Sequence, residues 1–350
     1  MQIEPARNAL DAFPVTGGEP WRLAPFGIGR IHETFSVSRA ADRSAGREPV
    51  FLLQSVNLNV FPDYEALMHN VDLVSRYLDS PLRFEHSREG KPYFESPEGG
   101  VWRLMRFVPQ SVPVPVPSSV GEAGEAARAF GEFAASLASL DASRVEPVIP
   151  GFHDTPARVR VLREAAGESP PSQAATLLEW VAEREVELGM ISARLASGAF
   201  PPRVCHNDAK ADNVLVHRES GRRLCVIDLD TVMPGSPLFD LGDLLRSSAA
   251  TVGEDDPEIG SVDVRWESAE AILEGFLEAA GSILTDEELR LARGAGWLLA
   301  SEQAIRYLSD HLSGSRYYRS DYPGQNLDRA RNQFALAAAF ERGGWAFTCL

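Results

Sequence analysis

The sequence predicts an α+β fold in two lobes, the first rich in sheet and the second mainly helical, and three observations carry that expectation. Residues 109–119, PQSVPVPVPSS, alternate prolines that continue neither a strand nor a helix, and so mark a boundary. Just before it, VWRLMRFV is a β-rich run. Just after it, EAARAFGEFAASLASL sets Ala126, Phe130, Phe133, Leu137 and Leu140 at helical spacing. The expected division is a first lobe over 1–108 and a second over 109–350.

Along the first lobe, FGIGRIHETFSV offers Gly27 and Gly29 between two short β-type runs, where a backbone without Cβ can approach phosphate. By itself that pattern also fits a plain hairpin turn. FLLQSV is another short strand, and one helix is expected over 64–79, where Leu67, Val71, Val74 and Leu78 form a single apolar stripe. In the second lobe helices are expected near 172–197, 267–280 and 286–312. Among them lies a hairpin: VLVH and LCVI are apolar β-type runs separated by the polar stretch RESGRR.

The segment from His206 to Asn213, HNDAKADN, followed by LCVIDLD ending in Asp228 and Asp230, is the most informative part of the chain. Kinase-type phosphoryl transfer needs an aspartate to accept the proton of the attacking hydroxyl and an asparagine five residues on to hold a metal. It also needs a later aspartate for the metals that bridge the nucleotide phosphates. Asp208, Asn213 and Asp228 meet that order and spacing. A hairpin centred between Ser220 and Gly221 would set Asn213 against Asp228, and directly opposed residues hold their Cβ atoms roughly 5 Å apart. Lysine usage adds to this. Of 34 lysines and arginines only Lys91 and Lys210 are lysines, and Lys210 stands two residues after the expected base, where a compact ammonium can meet the transferring phosphate. Each piece alone also fits a polar loop with an Asx turn or a solvated strand end.

At 350 residues the chain can bury a substantial core. A formal charge of −16 argues against a nucleic-acid partner, which needs a basic footprint, and names no substrate. Cys205, Cys225 and Cys349 have no metal-ligand spacing, and the first two read as buried packing thiols. MQIEPARNALDAF has no basic start followed by an apolar run, and no stretch is long enough to span a bilayer, so a cytoplasmic protein without membrane contact is expected.

With these residues in view, the chain resembles the aminoglycoside phosphotransferase-like, or choline-kinase-like, branch of the protein-kinase fold. Within it the sequence looks most similar to N-acetylhexosamine 1-kinases. The likeness runs through GIGRIHETFSV, FLLQSVNLNVFPDYEALMHNV, VWRLMRFV, FHDTP, CHNDAKADNVL, VIDLDTVMPGSPLFDLGDLLR and IRYLSDHLSGSRYYRSDYPGQNLDRARNQF. VIDLDTVMPG with FDLGD, and the distal NLDRARNQF, are more specific than the catalytic core. The resemblance implies a two-lobed protein-kinase-like fold and transfer of the γ-phosphate of ATP, with Mg2+, to the anomeric hydroxyl of N-acetylglucosamine or N-acetylgalactosamine. Asp208 would be the base, Asn213 and Asp228 the magnesium ligands, and Asp240 a brace of the catalytic loop.

The resemblance also locates departures. The third-strand position that carries a lysine in protein kinases is Gln54, as it is in the hexosamine kinases. Arg30 and His32 replace a histidine and an asparagine near the glycine turn, where phosphate or sugar would lie. Pro109 follows the hinge strand and has no N–H, so main-chain atoms of Phe107 and its neighbours are expected to hold adenine. Ser315 stands where an acidic residue is common. The sugar side falls on Arg306, Asp310 and Tyr317, with His153 and Asp154 as a second candidate pair. The rival expectations are a kinase of the same branch acting on an aminoglycoside, choline or another sugar, and a pseudokinase that binds nucleotide without turnover.

Overall fold

A computed structural model describes residues 3–17, 20–27, 31–41, 48–168 and 171–347. In chain order its elements begin with α1 (Ile3–Leu10), β1 (Trp21–Pro25), β2 (Glu33–Arg39), β3 (Phe51–Ser55), α2 (Tyr64–Tyr77), β4 (Phe84–Glu85), β5 (Phe94–Glu95), β6 (Val101–Arg106) and β7 (Ser111–Pro113). There follow α3 (Val120–Ser136), α4 (Thr155–Ala166), α5 (Ser172–Glu183), α6 (Glu185–Leu188), α7 (Met190–Ala196), β8 (Arg203–Cys205), β9 (Val214–His217), β10 (Arg223–Val226) and β11 (Met233–Gly235). The chain closes with α8 (Pro237–Ser248), α9 (Trp266–Ala280), α10 (Asp286–Leu291), α11 (Ala295–Leu312) and α12 (Gln325–Arg342). The chain forms two compact units, one of residues 1–113, 143–149 and 215–233, the other of 114–142, 150–214 and 234–350.

In the first unit an antiparallel sheet runs β1-β2-β3-β6-β4, with β5 also on β6. Alternation sorts its side chains. Leu23, Phe35, Val37, Phe51, Leu53, Trp102 and Leu104 pack under Ala6, Ala9, Leu10 and Phe13 of the α1 region, burying one face. The other face is polar where Thr34, Gln54 and Arg103 stand in register across β2, β3 and β6. Beside that sheet α2 is capped by Asp63, which accepts from the Ala66 N–H, and Asn70 on its buried side donates to the carbonyls of Glu146 and Val232.

The hairpin expected among the helices of the second lobe belongs to the first unit. β9 pairs with β7, His217 opposite Ser111 and Leu215 opposite Pro113, so the start of the proline segment, expected to continue no strand, forms a short one that recruits it. Its turn is also placed differently: the His217 N–H bonds the Arg222 carbonyl at 2.8 Å, centring the turn one residue earlier than the register that set Asn213 against Asp228.

The second unit is helical. α3 and α9 approach through glycines, since a Cβ at Gly275 would lie 2.3 Å from the Gly124 carbonyl. The helix expected over 172–197 is three pieces, interrupted at Arg184, whose guanidinium lies 4.4 Å over the Trp180 ring and pairs with Glu341. The helix expected over 286–312 breaks before Ala295, because Gly294 is covered by Phe347, whose ring a Cβ would meet at 2.2 Å. Four helices were not anticipated: α1, α4, α8 and α12. Among the described residues no helix is long and apolar enough to cross a membrane.

Candidate active site

The second unit carries the loop between β8 and β9. Its backbone is held from below by Asp240 on the first turns of α8, whose carboxylate accepts the His206 N–H at 2.9 Å and the Asn207 N–H at 2.7 Å. Asp240 is fully buried, and burial lifts its carboxyl above the ordinary range against the pull of those bonds. Asn207 is left-handed, φ 64°, a conformation that asparagine tolerates. Its carbonyl accepts from His153 Nε2 at 3.0 Å, and His153 Nδ1 lies 2.7 Å from Glu302, which also accepts the Thr155 hydroxyl. Burial alone would depress His153, but Glu302 beside it holds the imidazole above its usual value and is itself held low. His153 and Asp154 therefore have structural partners: the first clamps the loop, and the second caps α4 through the Ala157 N–H.

On that loop Asp208 lies 2.8 Å from Lys210 Nζ. Burial would raise the Asp208 carboxyl, and the Lys210 ammonium more than reverses this, keeping it below the usual carboxylate range. Lys210 is raised in turn, chiefly by Asp208. Asn213 donates its amide N–H to the Asp208 carbonyl at 2.9 Å, which fixes the amide and presents its oxygen as the atom left for a cation.

Next to this loop the second unit gathers paired charges and rings. Arg246 binds Asp243 and Glu254, with Nη1 2.9 Å from Glu254, and Glu254 also accepts from Tyr307. Arg306 stacks over Phe152 at 4.9 Å and Tyr318 at 5.8 Å. Gln303 bonds Arg306 and lies 3.5 Å from the Tyr318 hydroxyl. Tyr318, which no sequence signal singled out, lies beside Arg306, whereas Tyr317 is 67% exposed. Asp310 instead gathers the loop that follows its helix, where its carboxylate accepts the N–H groups of Arg316, Tyr317 and Tyr318 and the Asn326 amide. Ser315, left-handed at φ 54°, donates its N–H to the Asp310 carbonyl. Both oxygens of Asp310 thus accept bonds that fold this loop. The S-G-S-R-Y-Y run after the helix was the signal that an aspartate would be needed to gather backbone amides.

The first unit carries the other expected residues. Gly27 is left-handed, φ 74°, as a tight turn requires, while Gly29 and Arg30 lie outside the described residues. Phe107 donates its N–H to the Val50 carbonyl at 3.0 Å and sets its ring edge-on to Phe26, so that N–H is committed within the sheet. Asp228, after β10, is itself left-handed (φ 61°, ψ 61°) and opens a short 3₁₀ turn through Thr231. Asp230 in that turn is 3% exposed and receives both terminal nitrogens of Arg103 and His32 Nε2, the latter at 2.6 Å. Burial would lift its carboxyl, but Arg103 and His32 hold it far below the usual range. Gln54 accepts from Arg103 Nε and donates to the Thr34 hydroxyl, each at 2.9 Å. Sequence alone did not single out Arg103, because an arginine in a β-rich run carries no motif.

Among the described residues no three His, Cys, Asp or Glu side chains gather as a metal cluster. Each in its own unit, the Asn213 amide oxygen and the Asp228 carboxylate are of the oxygen-donor type that a hard ion such as magnesium prefers.

A sheet-rich unit with one braced helix and a helical unit with this loop define a protein-kinase-like α+β fold. Residues 80–281, more than half of the chain, match the phosphotransferase enzyme family, and the chain belongs to that family. The microcompartment-associated aminopropanol kinase is 16% identical over 97% of both chains, with a TM-score of 0.60. A choline kinase from Cryptosporidium parvum Iowa II is 14% identical over 96% of this chain and 95% of its own, also at 0.60. Spectinomycin phosphotransferase, solved with ADP and spectinomycin, is 13% identical over 92% of this chain and 93% of its own, at 0.54. At such identities the likeness establishes the fold.

Proposed function

We propose that the chain transfers the γ-phosphoryl group of ATP to the anomeric hydroxyl of an N-acetylhexosamine. The observation that carries the acceptor class is the ring-lined patch in which Arg306 lies over Phe152 and Tyr318, with the Tyr307 ring 4.6 Å from that of Tyr318. The guanidinium offers donors to hydroxyl groups and the rings offer apolar faces, which suits a neutral, hydroxylated ring, whereas a cationic acceptor would meet a like charge there.

In this reading Asp208, kept ionised by Lys210, orients the acceptor hydroxyl and takes its proton as the oxygen attacks. Lys210 offers its ammonium to the phosphoryl oxygens, and Asp240 and His153 hold the loop so that neither group must reorganise. Asn213 and Asp228 would hold magnesium, which when bound would supply positive charge to the phosphates. Gly27 would let the backbone approach those phosphates, the hinge beside Phe107 would meet the adenine, and Arg306 with Tyr318 would hold the sugar. The test is a panel of hexosamines, choline and aminoglycosides with ATP and magnesium, with product position read by phosphorus NMR. A hexosamine 1-phosphate is the expected product. Preference for choline or an aminoglycoside over every amino sugar would overturn the acceptor while leaving phosphotransfer intact.

A further inference from the structure

Gln54, Arg103, His32 and Asp230 form one hydrogen-bonded set inside the first unit, and their chemistry is complementary at each join. His32 Nδ1 accepts the Asn57 N–H at 3.1 Å, so Nε2 is the nitrogen that carries the proton toward Asp230. The His32 ring stacks on Phe61, 5.6 Å between centroids and 22° between planes, which fixes its direction. Arg103 fills both oxygens of Asp230 with its terminal nitrogens and uses Nε for Gln54. Gln54 suits that place because an amide can accept from a guanidinium on one side and donate to Thr34 on the other. A lysine at 54 would instead set an ammonium against Arg103 Nε, two cations in one buried site.

We propose that Arg103 is a positioning residue for the metal-binding aspartate: through Asp230 it holds the left-handed Asp228 turn, and through His32 the same carboxylate ties that turn to the segment leaving the glycine turn. A left-handed aspartate is an uncommon conformation that persists only where its surroundings hold it. Asp230, two residues on, is the anchored end of the same short turn. Asp230 is thereby occupied on both oxygens by Arg103.

This inference rests on the assignment of Asp228 to magnesium, and the test separates the two. ADP binding is measured by calorimetry with and without magnesium on the parent, Arg103→Gln, Asp230→Asn, Gln54→Lys and the exchange variant Gln54→Lys/Arg103→Gln. Thermal melting without ligand reports the fold. The parent should bind ADP more tightly with magnesium; a parent indifferent to magnesium removes the metal assignment itself. Arg103→Gln and Asp230→Asn should each lose at least about tenfold of the magnesium-dependent affinity and leave magnesium-free ADP binding within about twofold. Gln54→Lys should lose affinity too, and the exchange variant should recover part of it. Equal magnesium enhancement in the parent and in every folded variant overturns the proposal. Should Arg103→Gln fail to fold, His32→Phe keeps the stack on Phe61 and removes only the Asp230 bond. It should raise the magnesium concentration for half-maximal ADP binding about threefold or more, and an unchanged requirement overturns the proposal equally.

Discussion

The loop of Asp208 and the turn of Asp228 are each held by a buried carboxylate, but by different chemistry. Under the Asp208 loop, Asp240 accepts two backbone N–H groups, and His153 binds a backbone carbonyl. Under the Asp228 turn, Asp230 binds side chains from β6 and from the segment before β2. A carboxylate on backbone amides fixes the path of the chain whatever the neighbouring side chains are. A carboxylate on an arginine and a histidine ties together elements distant in sequence, so replacing either Arg103 or Asp230 leaves a buried charge without its partner. The first device makes a rigid loop. The second makes the position of Asp228 depend on three strands at once.

Four experiments break or sharpen that contrast. The largest effect is expected for Asp208→Asn, which should lower turnover by about two to four orders of magnitude with little change in ADP binding. Turnover within a few-fold of the parent would remove Asp208 as the base.

Asp240→Ala strands two buried N–H groups at about 1–3 kcal/mol each, so a stability loss of roughly 2–5 kcal/mol is expected in denaturant melts. A loss below about 1 kcal/mol would mean the loop holds itself.

The His153–Glu302 pair makes the loop's stability depend on pH. His153 is raised in the folded state, so its contribution is whole below the ordinary histidine value of about 6.5 and fades as pH climbs through the raised value. Glu302 is lowered, so its share is present above the ordinary glutamate value of about 4.3 and is lost as pH falls through the depressed one. The melting temperature of His153→Gln should therefore lie furthest below the parent in mildly acid solution, about pH 5 to 6.5, and the gap should narrow toward alkaline pH. A gap that stays constant from about pH 6 to pH 10 would show that the pair does not titrate in this way.

The smallest effects concern the acceptor. Arg306→Ala should raise the Michaelis constant for the hexosamine about tenfold and leave that for ATP nearly flat. Tyr318→Ala should act in the same direction, and Tyr317→Ala, at an exposed position, should change little. The reverse order of the two tyrosines would return Tyr317 to the sugar side.

Local chemistry made much of this legible. Asp208, Lys210 and Asn213 lie within six residues, so their spacing alone announces phosphoryl transfer, and FDLGD names its own aspartate through the resemblance. Helix α2 follows its apolar stripe to within two residues, Tyr64–Tyr77 against an expected 64–79. The helices that periodicity joined or missed are those whose ends depend on contacts far along the chain, as Gly294 depends on Phe347 and Arg184 on Glu341.

By itself, then, the sequence determined the order of lobes, the phosphoryl-transfer motif and the family resemblance, because each is written in neighbouring residues or in periodicity. Only the tertiary structure decided that the hairpin joins the first unit, that Tyr318 lies beside Arg306 while Tyr317 is exposed, that Asp310 folds its own loop, and that Arg103 stands beside Gln54 and Asp230. Those are long-range pairings. Arg103 and Asp230 are 127 residues apart, and His32 and Asp230 are 198 apart. No spacing rule reaches that far, since which strands lie side by side follows from burying an apolar sheet face, and the polar partners on the opposite face are brought together as its consequence.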